Sequence, residues 1–135
     1  DAVPLATIDN LEIPEDQVGT PNTYADVLFF RGGTPASAEL LYGERLGHDI
    51  DFLANFAGSF GLTPTTPPDD PDVISVTIND VEVGTATLAA AGTWTFATSL
   101  AAPVSALTGD EIRFVRAATV TTAVDIGITL VGTAV

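Results

Sequence analysis

Any chemistry in this chain would have to start from very few side chains: one histidine, a knot of carboxylates and four arginines, with cysteine and lysine both absent. His48 stands between Gly47 and Asp49, and enough serines and aspartates are present to complete a Ser-His-Asp set on paper. Hydrolases of that kind hold the nucleophile in a Gly-x-Ser-x-Gly turn between a strand and a helix. Gly58-Ser59-Phe60-Gly61 is not that motif, so His48 is read as a surface or structural residue. One histidine without cysteine leaves zinc too few of its preferred ligands. Asp69, Asp70 and Asp72 place three carboxylates on a Pro-rich loop, oxygen ligands that could hold Ca²⁺, but the spacing, glycine and distal glutamate of an EF-hand are missing. They stand as a calcium candidate against the plainer reading of a solvated acidic loop.

No pair among the 18 acidic residues is marked out for glycoside hydrolysis. Gly32-Gly33 lacks the lysine and helix of a phosphate loop. Trp94 could stack on a sugar, yet it shares a strand face with Phe96, which favours the core. The reading is therefore non-enzymatic, with no cofactor expected. The arginines are Arg31, Arg45, Arg113 and Arg116. Arg113 faces away from Ile112 and Phe114, toward acids on the sheet surface or across a subunit boundary. Arg31, Arg113 and Arg116 are taken as interaction residues, where exposed ion pairs fix register more than they stabilise.

The net charge of −14 repels phosphate backbones and anionic membranes, so neither nucleic acid nor membrane is an expected partner. With 46% apolar and 16% charged residues, disorder is not the reading for most of the chain. The length of 135 residues fits one domain, and no apolar run approaches the ~20 residues that span a bilayer. A start at Asp1 without methionine is read as a processed, trimmed or mature-numbered end, with no signal peptide remaining.

These side chains must be positioned by strands. Ile74, Val76 and Ile78 alternate with Ser75 and Thr77, Asn79-Asp80 can reverse the chain tightly, Val81–Leu88 returns, and after a second turn Trp94 and Phe96 alternate with Thr93, Thr95 and Ala97. Tyr24–Phe30 reads as a strand apolar on both faces toward its end, hence central. Glu39–Tyr42 and His48–Leu53 are shorter strands, with a helical turn an alternative around 37–46. Phe56–Gly61 is a loop with Phe56 and Phe60 pinned inward. Thr63–Asp72 is a stiff connection inside one domain, and Glu111–Arg116 and Asp125–Val131 complete the set. The expected fold is all-β: a two-sheet antiparallel sandwich, jelly-roll-like, of about eight strands, occupying residues 21–135. Residues 1–20 form an extended N-terminal arm, either mobile or laid against this chain's own sheet or another subunit; its Val3, Leu5, Ile8, Leu11 and Ile13 are too many for a purely solvated tail and are taken as interaction residues.

From Tyr24 onward the chain resembles a β-sandwich domain of virion proteins in tailed bacteriophages and gene transfer agents, where it occurs in head fibres or spikes, decoration proteins and tail fibres. The resemblance rests on Phe29-Phe30-Arg31-Gly32-Gly33-Thr34-Pro35, on Asp51-Phe52 leading to Ala57-Gly58-Ser59, and on Ile78-Asn79-Asp80-Val81-Glu82-Val83-Gly84-Thr85-Ala86-Thr87-Leu88 running into Gly92-Thr93-Trp94-Thr95-Phe96. Gly109-Asp110-Glu111-Ile112 and the ending Ala123-Val124-Asp125-Ile126-Gly127-Ile128-Thr129-Leu130-Val131-Gly132-Thr133 complete it. A lysine usual in the first hairpin turn is missing, and Arg116-Ala117-Ala118 stands where Ala-Pro is expected. The resemblance implies a structural virion protein, foremost a capsid decoration (cement) protein, bound to the major capsid protein or other virion proteins. It further implies a homo-oligomer, a trimer among the options, and a location in the extracellular particle after assembly in the host cytoplasm. The alternative it leaves open is a head- or tail-fibre module binding host surface glycan through loops 61–72 and 116–124. It carries no catalytic residues.

Overall fold

The computed structural model describes residues 24–117 and 122–135. In chain order its strands are β1 (Tyr24–Arg31), β2 (Leu40–Arg45), β3 (Ile50–Phe52), β4 (Phe60–Gly61), β5 (Asp72–Ile78), β6 (Val81–Leu88), β7 (Trp94–Thr98), β8 (Val104–Ala106), β9 (Glu111–Arg116) and β10 (Ile126–Ala134). All pairings are antiparallel. The arm assigned to residues 1–20, with Val3, Leu5, Ile8, Leu11 and Ile13, lies outside the described residues. No helix among the described residues is long and apolar enough to cross a membrane.

The first sheet runs β1-β10-β3-β8, with β4 also on β10; the second runs β2-β9-β5-β6-β7. β1 pairs with β10, β2 with β9, β3 with β8 and β5 with β6. Such nested pairs, alternating between two sheets, make a jelly roll, to which β4 and β7 are additions. The two hairpins of β5–β7 form as the alternation predicts. Asn79 and Asp80 turn the first with φ of 51° and 68°, the double left-handed geometry that matches strand twist and that short polar side chains tolerate.

Inward residues of the two sheets make one core, in which Val27, Phe29, Ile50, Phe52, Ile128 and Leu130 face Ile74, Val76, Leu88, Ile112 and Phe114. The Phe29 ring bridges the layers, 4.8 Å from Phe114 and 5.9 Å from Tyr42. Phe56 enters from the β3–β4 turn, edge-on to Phe52 at 5.6 Å. It lies so close over Gly84 that a Cβ there would collide with its ring and with the Ala97 carbonyl.

Several expectations need correction. β1 is not central: among the described residues it has a partner only in β10 and so forms an edge of the first sheet. Its apolar residues lie on both faces because one face is core and the other is outer surface. Phe60 is not pinned inward but half-exposed, since it starts β4 opposite the outward Thr129. The helical alternative at 37–46 loses to β2, whose backbone bonds are taken by β9. Ten strands are found among the described residues where about eight are expected, because β4 and β8, two and three residues long, are too short to show a period.

Candidate functional site

Parity along β1 decides what this protein presents. Ala25, Val27 and Phe29 point into the core, so Tyr24, Asp26, Leu28 and Phe30 point out. Across the ladder Leu28 stands opposite Thr129 and Phe30 opposite Gly127. On the other side of β10, Phe60 pairs with the same Thr129, and Leu62, whose amide donates to the Gly127 carbonyl at 2.9 Å, lies over Gly127, where a Cβ would strike its side chain. Leu28, Phe30, Phe60 and Leu62 therefore straddle β10 as a two-by-two array, and they are 56%, 62%, 54% and 51% exposed. Taking about half of ~200 Å² from each gives an apolar patch of roughly 400 Å², within the range in which a surface patch on a monomer is often functional. Gly127 keeps the middle of the array flat. Trp94 backs the patch from within: its indole Nε1 donates to the Leu62 carbonyl at 2.8 Å and its ring lies against Gly61. It is stacked with Phe96 at 6.3 Å and packed on the core, as the strand pattern predicts.

The arginines are occupied within the chain. Arg31 donates to Glu39 through Nε at 2.6 Å, Arg113 reaches Glu111 at 2.9 Å and Asp80 at 3.8 Å, and Arg45 reaches Glu111 at 3.7 Å. Arg113 thus meets acids on the sheet surface, and it and Arg31 stay part-exposed. Arg116 does not offer itself to a partner. It is fully buried, with Nε donating to Asp72 Oδ1 at 3.1 Å and Nη1 to the Pro35 carbonyl.

That pair also decides the acidic loop. The Asp72 carboxylate is buried against Arg116, whereas Asp69 Oδ1 accepts from the amides of Thr122 at 3.2 Å and Asp70 at 3.1 Å. The three carboxylates do not converge, and no group of three metal-ligating side chains is found among the described residues. His48 is exposed on the β2–β3 turn. The Ser59 hydroxyl accepts from the Val131 amide at 2.9 Å, a structural task. Loops 61–72 and 122–125 come together through a bridge between Thr66 and Val124.

Other carboxylates tie turns together, and the bonds they accept favour the ionised form. Asp49 is held below the usual carboxylate range by the Thr108 amide and hydroxyl, Asp110 by the Leu107 amide and the Asn79 side chain, and Asp125 by the Thr65 hydroxyl and the Gly33 amide. Glu39 is lowered by Arg31 first and the Ala36 amide second. These are scaffold roles at the two ends of the sandwich.

From sequence, Leu28, Phe30 and Phe60 are placed at no site, and Leu62 only within loop 61–72. For Leu28 and Phe30 the signal was present, because once Asp26 is placed in water every second residue after it shares that side. Comparison with protein-family models, with curated proteins and with solved structures finds no match to this chain.

Proposed function

We propose that this chain is a structural protein of a tailed-phage virion, a capsid decoration (cement) protein that docks on the outer shell. The observation that carries the docking surface is the apolar array of Leu28, Phe30, Phe60 and Leu62 on the outer face of the first sheet. Burying roughly 400 Å² of apolar surface supplies on the order of 10 kcal/mol before the costs of association, enough to anchor a subunit that shell geometry orients. A subunit that binds only assembled shell stabilises the assembled state by mass action. The charge of −14 suits a densely displayed outer surface, because it keeps free subunits apart in solution. The phage assignment itself comes from the sequence resemblance, and a jelly roll supports it only by analogy of fold.

The test is binding of the purified chain to empty capsids of the particle that carries it, beside binding to host cells and their polysaccharide. A decoration protein saturates capsids at high stoichiometry and ignores cells, and the Phe30→Ser/Phe60→Ser variant loses the capsid binding. Adsorption to cells by the isolated chain would instead support the fibre reading. That reading is favoured by the joined loops at Thr66 and Val124, which present one surface on which glycan could be held.

A further inference from the structure

We infer that in the free subunit the apolar face of the first sheet, with the outer edge of β1, is the docking surface for the chain's own N-terminal stretch, residues 3–13. Two features of the described residues call for an occupant. One is the patch itself. The other is the β1 edge: eight residues without proline, lysine or a register shift, with Asp26 and Arg31 as its charges, so that most of the devices by which edges are guarded are missing. The remaining outermost strands are better protected among the described residues: β7 has five residues, with its Thr98 amide donating to Asn55 Oδ1 at 3.1 Å and its Thr98 hydroxyl accepting from the Asn55 amide at 2.8 Å. β8 has three residues and follows Pro103, and β2 carries a register shift between Leu40 and Tyr42 together with Glu44 and Arg45.

Position and reach select the occupant. The stretch joins β1 at Tyr24, itself an outward residue of the same face. Ten residues lie between Ile13 and Tyr24, and the eleven steps give an extended reach of ~36 Å, against ~20 Å along the strand from Tyr24 to Phe30. Gly19, Pro21 and Asn22 supply turn-forming residues for the reversal. Val3, Leu5, Ile8, Leu11 and Ile13 supply apolar cover of the kind the patch lacks. A second copy is the poorer candidate, because two chains of −14 each must be brought together, whereas a tether of this length holds its segment at millimolar effective concentration. The contact itself does not depend on the virion reading; only the identity of what displaces it, a shell protein, rests there.

The absence of native cysteine allows a single label. A nitroxide on Asn10→Cys in the 135-residue chain, read by amide NMR, is expected to erase peak intensity at Leu28–Phe30 and Phe60–Leu62 while sparing the Asn79-Asp80 turn at the far end of the opposite sheet. Adding Leu11→Asp and Ile13→Asp to the labelled chain restores those peaks. A mixture of labelled, isotopically silent chains with unmodified ¹⁵N chains shows no such loss. Unperturbed face amides, loss spread equally over both sheets, or loss in the mixture would each overturn the inference, the last by making a second copy the occupant. Because this measurement involves no capsid, a failure here is distinct from a failure to bind shell.

Discussion

Replacing Arg116 with methionine is expected to be among the most destabilising single changes outside the hydrocarbon core. The substitution takes the guanidinium away from the buried Asp72 carboxylate, 1% exposed, and removes the donor to the Pro35 carbonyl. Deleting one member of a buried ion pair costs about 3–5 kcal/mol. A chain of 135 residues unfolds with an entropy of about 0.28 kcal/mol/K near 60 °C, so the melting temperature should fall by about 10–18 °C. Asp72→Leu on top of Arg116→Met removes the uncompensated buried charge, while the Pro35 carbonyl still loses its donor. That double variant should recover to within about 2 kcal/mol of the parent. The assay is urea and thermal denaturation followed by circular dichroism at neutral pH, repeated at low and high salt, since a buried pair is screened far less than a surface one. A single variant that melts within about 3 °C of the parent, or a double variant as unstable as the single one, would refute the assignment of stability to this pair.

Three further outcomes follow from the same coordinates. Gly84→Val should cost several kcal/mol, because Phe56 and the Ala97 carbonyl occupy the space its side chain needs; denaturant melts read it directly. Phe30→Ser and Phe60→Ser, at half-exposed positions, should each change stability by less than about 1 kcal/mol while abolishing shell binding in a co-sedimentation assay. Acid titration should expose the turn carboxylates. With folded values of Glu39, Asp49, Asp110 and Asp125 lowered, their stabilisation is complete above the unfolded values near 4 and is lost as pH falls through the folded ones. Asp110→Asn should flatten that acid limb, and an unchanged limb would remove Asp110 from the account.

How far the sequence reached depended on whether a feature was local. The hairpins of β5–β7 were legible because alternation and the Asn79-Asp80 turn lie within a few residues of each other. The buried pair was half legible: Asp72 shares parity with Ile74 and Val76, and Arg116 with Ile112 and Phe114, so both charges were bound to point inward. Only the β5–β9 pairing, which sets Ile74 opposite Arg116, shows that they meet, and that pairing spans some forty residues of chain. The calcium candidate failed for the same reason, since its third carboxylate was already committed to a distant strand. The apolar face is hidden because apolar residues on both faces of Tyr24–Phe30 suggest a central strand, unless Asp26 is followed to its consequence for Leu28 and Phe30. Phe60 could not be placed by parity at all, because Asn55 and Phe56 turn the backbone through left-handed φ values of 57° and 49° and break the count.

The central proposal is that this sandwich serves a phage shell by laying its apolar outer face on another virion protein. Quantitative mass spectrometry of purified particles, comparing copies of this chain with copies of the major shell protein, tests it most directly. The account predicts copy numbers of the same order as the shell protein, falling sharply when Phe30 and Phe60 are replaced by serine. A few copies per particle, none at all, or full occupancy by the serine variant would contradict it.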